Sequence, residues 1–352
     1  MSKETDLTKT LIVLSALTCL ALASGCAVRE TYVSSGAATD GPILMRTASA
    51  QDMDPFEAGR RAAQALQQQM GSVTPHAVVL TECFEGKAQK EKALKGICSV
   101  FDKDIVFGFS TYGSFDQQGC LDDASICLLG IAGEGIATAA ALHQDLGIAG
   151  LTMENDEAEL ARRLGTAGAE LATTLGQGSE GRLLILMADA HSPKNQFLVA
   201  GAQRVMGERF PITGGSANKN AGQTFVYFQG RLYTDSAVAL LLSGDFEVSL
   251  SGRQAKENAK VISSAAQAAA EALENATAKP FSVLAFNCAG RKGKLDNLAD
   301  ELQAIQGVIG TDVPLFGAYC AGEIGPADTA ADTASALSSG VGWHVMFTIL
   351  SR

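Results

Sequence analysis

Three short apolar runs punctuate the chain about one hundred residues apart: Ala77–Leu80, Leu183–Leu186 and Ser282–Ala285. Their length and flanking polar residues suit buried strands. Each follows a segment whose apolar positions recur every three or four residues. Those segments are Phe56–Met70 (Ala58, Ala62, Ala63, Leu66), Glu157–Leu175 (Leu160, Leu164, Leu171) and Ala255–Ala276 (Val261, Ile262, Ala266, Ala269, Leu273). Charged residues fill the intervening positions, as the solvent face of an amphipathic helix requires.

A second set of landmarks keeps the same spacing. Helical stretches around Gln89–Ser99, Gln196–Gly207 and Leu295–Ile309 lead into runs that end in glycine: Ile105–Gly108, Pro211–Gly214 and Pro314–Gly317. A third apolar strand closes each unit, at Ala124–Leu129, Ser236–Leu242 and Gly342–Leu350. The pattern predicts an α/β fold of three internal αβαββ repeats, forming mixed parallel and antiparallel sheets covered by helices. Loops after the carboxyl ends of parallel strands collect ligands, because helix N-termini and free backbone N–H groups converge there. Six loops are therefore expected to enclose one cavity: 81–86, 110–114, 189–195, 215–220, 287–292 and 319–325.

The N-terminus reads as an address. Lys3 and Lys9 precede an apolar stretch from Leu11 to Leu22, shorter than the roughly 20 residues that span a bilayer. Residues 1–25 read as a secretory signal, and Leu22-Ala23-Ser24-Gly25-Cys26 resembles the lipobox of bacterial lipoproteins, with Cys26 the lipid attachment site. That places the mature protein in the cell envelope, on the periplasmic side of the outer membrane, held by acyl chains. Residues 26–53 lack a sustained period and read as a flexible stalk.

Lys plus Arg total 27 against 38 Asp plus Glu, a net charge of −11, and no basic run could track a phosphate backbone; nucleic acid is not the expected partner. Beyond Cys19 in the leader and Cys26, six cysteines remain: Cys83, Cys98, Cys120, Cys127, Cys288 and Cys320. Spacing alone leaves fifteen pairings open. Cys288 and Cys320 both follow predicted strands and come near each other if those strands are neighbours. No Cys/His ligand spacing for zinc occurs.

Several strings together resemble the FIST family, bacterial sensory modules with an N-terminal and a C-terminal part. Asp54–Ala58 with its helix, Ala188-Asp189, Pro211–Ala217, the Phe225–Leu232 hairpin and Ala237–Gly244 are similar to the N-terminal part. Asn287–Arg291 and Pro314–Pro326 are similar to the C-terminal part. The boundaries that follow are 54–252 and 253–352. The resemblance implies a sensor of small molecules, with amino-acid-like ligands the usual suggestion, rather than an enzyme. Between Gly252 and Cys288 the chain has little more than one helix, shorter than the insertion the family usually carries there. No kinase, cyclase or methyl-accepting segment is present, so any signal passes by contact or by sequestering a ligand.

Within these loops the candidate ligand contacts are Ser110, Thr111, Tyr112, Asp189, Gly214, Gly215, Ser216, Asn218, Asn287, Cys288, Arg291, Tyr319, Cys320 and Glu323. Gly317, Gly322 and Gly325 let a small polar ligand approach the backbone. Glu323 would take an ammonium while Arg291 grips a carboxylate, the pairing an amino acid needs. The bland alternatives are a turn capped by Glu323, a packed Tyr319 and a surface Arg291. Asp189 and His191 are more simply read as a turn than as a metal or acid–base pair, and His191 is the loop histidine that haem would require. Gly108–Tyr112 fails the GxSxG elbow at its last position, and Gly130–Gly135 lacks the GxGxxG order. No other cofactor or metal is expected. The competing readings are an enzyme with a strand-end Cys nucleophile and a structural envelope module.

Overall fold

The computed structural model describes residues 29–33, 38–176, 180–218, 224–328 and 337–352. The signal segment and Cys26 lie outside the described residues. The first unit runs β1 (Arg29–Val33), β2 (Leu44–Gln51), α1 (Pro55–Met70), β3 (Ala77–Cys83), α2 (Gly86–Cys98), β4 (Val106–Ser110), β5 (Ser114–Asp116), β6 (Cys120–Leu121), β7 (Ser125–Ala132) and β8 (Ile136–His143). The second is α3 (Glu157–Gly176), β9 (Gly181–Ala188), α4 (Asn195–Met206), β10 (Ile212–Ser216), β11 (Val226–Phe228), β12 (Arg231–Tyr233), β13 (Ala237–Gly244) and β14 (Glu247–Gln254). The third comprises α5 (Asn258–Glu274), β15 (Pro280–Cys288), α6 (Ala289–Lys292), α7 (Leu298–Ile309), β16 (Leu315–Cys320), β17 (Glu323–Pro326), β18 (Ser338–Val341) and β19 (His344–Ser351).

Each unit repeats one pairing scheme. The strand–helix–strand step makes a parallel pair, β3 with β4, β9 with β10 and β15 with β16. The closing strand lies antiparallel to the first, β7 on β3, β13 on β9 and β19 on β15. The small hairpins are exchanged in a ring. Strands β5 and β6 of the first unit complete the third sheet on β16, β11 and β12 of the second complete the first sheet on β4, and β17 and β18 of the third complete the second on β10. The long strands β8 and β14 likewise cross into the next unit's sheet, pairing with β13 and β19. The result is one seven-stranded and two six-stranded sheets.

Leu44–Gln51 corrects the expected stalk. It pairs with β7 along its whole length, and Met45, Thr47 and Ala48 are buried. The alternation of small, apolar and polar side chains is what a sheet edge over a helix accepts, but it is too weak a period to stand out from a linker.

The inner faces of all three sheets meet in a shared apolar core that includes Val79, Phe107, Phe109, Ile185, Leu240, Leu284, Phe286, Phe316 and Met346. On the outer faces sit helix pairs with their own clusters. Leu66 and Ile97 pack on the first sheet, Leu164 and Leu198 on the second, Ala268 and Ile305 on the third. Close helix packing relies on small residues: a Cβ at Gly168 would stand 2.0 Å from the Leu198 carbonyl oxygen. Among the described residues no helix is long and apolar enough to cross a membrane.

Candidate functional site

The carboxyl ends of the parallel strands do converge, by direct backbone bonding. The amide of Asn218 donates to the Ser110 carbonyl at 2.9 Å, that of Tyr112 to Tyr319 at 2.9 Å and that of Ala321 to Ser216 at 3.0 Å. Three further bonds repeat around the ring, Ser110 N–H to Phe225, Ser216 to Gly322 and Tyr319 to Gly113, at 2.8–3.0 Å. Close approach demands glycine, both within the second sheet and between sheets. Gly214 has φ +142° and an added Cβ would lie 1.9 Å from the Leu186 carbonyl oxygen, while one on Gly215 would lie 2.4 Å from the Cys320 Sγ. Both serve backbone packing rather than a ligand.

This corrects the expectation of one cavity enclosed by six loops. The strand tips close on each other, and the space beneath them is filled by the apolar core. An open cavity of about 650 Å³ lies at the opposite, amino-terminal ends of the strands of the first unit, lined by residues including Met70, Val73, His76 and Phe101. None of the expected site residues is there.

Most of the expected contacts are spent on the fold. Ser110 Oγ donates to the Asn218 and Phe225 carbonyls, Thr111 Oγ1 to the Glu82 carbonyl and Ser216 Oγ to the Ala190 carbonyl, and all three residues are fully buried. Asp189 accepts from the Thr224 hydroxyl and the Asp235 amide, which fixes a loop crossing. Tyr112 is half exposed, and its carbonyl accepts from Lys292. Asn218 is buried, and its Nδ2 has no hydrogen-bond partner.

Arg291 is the clearest departure. It is 0% exposed, far from the surface position or ligand grip that the sequence allows. Its guanidinium donates to Asn287 Oδ1 at 2.9 Å, Ser264 Oγ at 3.0 Å, the Val261 carbonyl at 2.9 Å and Glu301 Oε1 at 3.1 Å. Asn287 Nδ2 and the Tyr319 hydroxyl donate to Glu301 Oε2. The network ties α5, α6 and α7 to β15 and β16, and it commits four of the five Arg291 N–H donors within a fully buried site. Burial raises the Glu301 carboxyl, with Arg291 opposing the rise, and pushes the Tyr319 hydroxyl well above its ordinary value. The first unit holds a similar buried pair, Lys90 with Glu82 at 2.8 Å, capped by the Tyr227 hydroxyl at 2.6 Å.

A cluster with two unspent polar acceptors, Glu323 Oε1 and Asn195 Oδ1, lies at the junction of the second and third units. Glu323 opens β17 and is 0% exposed. Its Oε2 accepts the His344 amide at 3.0 Å, and its Oε1 has no partner of hydrogen-bonding geometry. The Cys288 thiol lies against the same carboxyl. Burial pushes this carboxyl up to about 8, against the pull of the His344 amide, the Cys288 thiol and the Arg291 charge. Glu323 is therefore mostly protonated at pH 7. Cys288 caps α6, and burial followed by the neighbouring Glu323 charge raises its thiol to about 11, against hydrogen bonds from the amides of Trp343, Gly290 and Arg291. Cys320, fully buried, is its register partner on β16.

Residues that sequence reasoning did not single out complete this cluster. Asn195, the first residue of α4, is buried; its Nδ2 donates to the Glu323 carbonyl at 3.3 Å and its Oδ1 is unpartnered. Ser192 crowds Gly322 and Gly342. Trp343 sits in the left-handed region at φ 65° in the turn before β19, its ring against Gly290. Only a buried Asn at the end of loop 189–195 could have signalled this, and Asn is too common in turns to stand out. Ser192, Ala289, Gly290, Gly342 and Trp343 are partly exposed, so the buried carboxyl lies close under the surface. Among the described residues, no group of three or more His, Cys, Asp or Glu is arranged to hold a metal ion.

Comparison with known proteins gives a family. The model of the FIST N domain matches residues 83–267 and that of the FIST C domain matches 233–326. The second match begins inside the first, at the end of β12. Among curated proteins no sequence matches. Solved structures similar to this chain include the cyanuric acid hydrolase of A. caulinodans, 11% identical over 88% of this chain and 100% of that chain, with a TM-score of 0.45. A second cyanuric acid hydrolase, described as an evolutionary innovation by structural concatenation, is 9% identical over 88% and 99%, with a TM-score of 0.42. T. maritima PurL complexed with ATP is 8% identical over 88% and 72%, at 0.26. Likeness this distant carries no activity across.

Proposed function

The chain belongs to the FIST family, whose domains are sensory, and from that premise we propose that it is an envelope-anchored lipoprotein that binds a small polar metabolite at the Glu323 cluster. The observation that carries this is the fully buried Glu323 carboxyl with one oxygen unpartnered. A buried polar atom without a partner costs roughly 1–3 kcal/mol, and a ligand donor that satisfies it recovers that cost. An ammonium would also displace the proton that burial holds on the carboxyl, so binding and deprotonation are linked. Asn195 Oδ1 offers a second acceptor nearby. Amino acids are the first class to test, with the ammonium at Glu323. Their carboxylate must be met by groups other than Arg291, whose guanidinium is fully buried and paired with Glu301.

Cys26 is the attachment site of the lipid, and the folded body faces the periplasm from the outer membrane. Native mass spectrometry of the delipidated protein tests the binding. A retained or added amino acid at one per chain, lost in Glu323→Gln, supports the reading; equal retention by the variant, or no uptake across a metabolite panel, overturns it. The intact mass of the mature N-terminus tests the anchor, with an acylated Cys26 expected and an unmodified chain beginning elsewhere contradicting it.

A further inference from the structure

We propose that Cys288 and Cys320 are a redox-active pair that closes reversibly into a disulfide and thereby changes the protonation of Glu323. The consequence for ligand binding rests on the reading of Glu323 given above; the pair itself does not.

Cys288 and Cys320 are opposed residues of the parallel strands β15 and β16. Neighbouring strands run about 4.8 Å apart, and opposed residues project to the same face. That spacing falls inside the roughly 4.4–6.8 Å between Cα atoms that a disulfide tolerates. Both thiols are free in the structure, and each lies near Glu323, whose charge raises both. Room for the Cys320 sulfur comes from Gly215 across the sheet junction. The pair is asymmetric: Cys288 is 9% exposed and Cys320 is 0% exposed. Cys288 is thus the thiol an oxidant meets, and Cys320 is placed to resolve it.

The oxidant is a peroxide, small enough to reach a thiol just under the surface. The Cys288 sulfur attacks one peroxide oxygen, the O–O bond breaks, and the other oxygen leaves as water with the thiol proton. Cys288 becomes a sulfenic acid. The Cys320 sulfur then attacks Cys288 Sγ, the S–O bond breaks and a second water leaves carrying the Cys320 proton. Two thiols are oxidised and one hydrogen peroxide is reduced to two waters. An external thiol reverses the bond by exchange. Burial holds both sulfurs protonated, Cys288 to about 11, so the reaction is slow at neutral pH and quickens as pH rises. Closing the bond removes the S–H that helps hold the Glu323 anion, so the Glu323 midpoint moves upward.

The test treats the purified chain with hydrogen peroxide at pH 8 and maps it by mass spectrometry without reduction. The expected product has lost two hydrogens, links the peptides bearing Cys288 and Cys320, and reverts with dithiothreitol. Its formation should quicken about tenfold from pH 7 to pH 8. Cys320→Ser should stop at a sulfenic acid on Cys288 that dimedone traps, and Cys288→Ser should leave Cys320 unmodified. In the oxidised chain the pH-dependent loss of stability should level off at least half a pH unit above where it does in the reduced chain. Thiols that stay free while an unfolded control oxidises, or that pair with other cysteines, overturn the pair. A linked product with an unmoved Glu323 transition overturns the coupling. None of these readouts requires a ligand, so failure of the binding proposal would leave them decisive.

Discussion

Replacing Glu323 with Gln should remove a fall in stability between pH 5 and pH 8. The carboxyl sits at about 8 in the folded protein against 4.5 as reference. The folded state therefore keeps a proton that the unfolded chain releases. The stability this supplies is fully present below pH 4.5 and is lost as pH rises through 8. At about 1.4 kcal/mol per pH unit, the wild type loses on the order of 4 kcal/mol from this residue between pH 5 and pH 9. A chain of this size changes its melting temperature by roughly 2 °C per kcal/mol, so the loss amounts to about 8 °C. Gln keeps an acceptor for the His344 amide but cannot ionise, and its curve should lack this slope. The groups facing Glu323 are Cys288 on β15, Cys320 on β16, His344 at the start of β19 and Arg291 on α6. Burial lowers His344 below 6.5 and raises both thiols above 9; these groups titrate alike in both proteins, so the difference between the two curves from pH 5 to pH 8 isolates the carboxyl. Calorimetric melting of both proteins in matched buffers is the assay. Parallel curves would refute the claim that Glu323 is buried with a proton.

Arg291→Ala should cost about 3–5 kcal/mol in urea unfolding, because it leaves Glu301 charged and buried without its partner; a change within 1 kcal/mol would show the network to be dispensable. Gly214→Val should prevent accumulation of folded protein, since its Cβ meets the Leu186 carbonyl oxygen at 1.9 Å on a left-handed backbone, and a normal melting curve would contradict the close pairing of β10 on β9. Residues 54–252 expressed alone should not unfold cooperatively. In that fragment β5–β6 and β14 lack their third sheet, and β10 lacks β17. A cooperative transition near that of the full chain would sink the exchanged-hairpin topology.

Much of the frame was legible in sequence because it is built from local signals. The apolar runs at Ala77, Leu183 and Ser282 are the first strands of their units, and the helical periods after Asp54, Asp156 and Lys256 became α1, α3 and α5. Cys288 and Cys320 fell on neighbouring strands as their positions suggested. The exchange of hairpins was hidden, since Ser114–Asp116 and Cys120–Leu121 are too short to show a period, and the first pairs with a strand two hundred residues away. The same non-locality misplaced Arg291. Its partner Glu301 lies on the next helix, and nothing in the spacing of the two distinguishes a buried ion pair from two surface charges. The shared cavity failed for a simpler reason. Converging strand ends suggest a hollow only when side chains keep the sheets apart, and here Gly215 lets β10 lie against Cys320.

The proton that leaves when a ligand arrives is the quantity closest to the central claim. Isothermal titration of the reduced protein with an amino acid, repeated at pH 7 in buffers of different ionisation enthalpy, counts it directly. Displacement of the Glu323 proton by an ammonium predicts a release close to one proton per ligand bound, falling toward zero above pH 9 and absent in Glu323→Gln. Binding with no proton release, or with the same release in the variant, would place the ligand elsewhere.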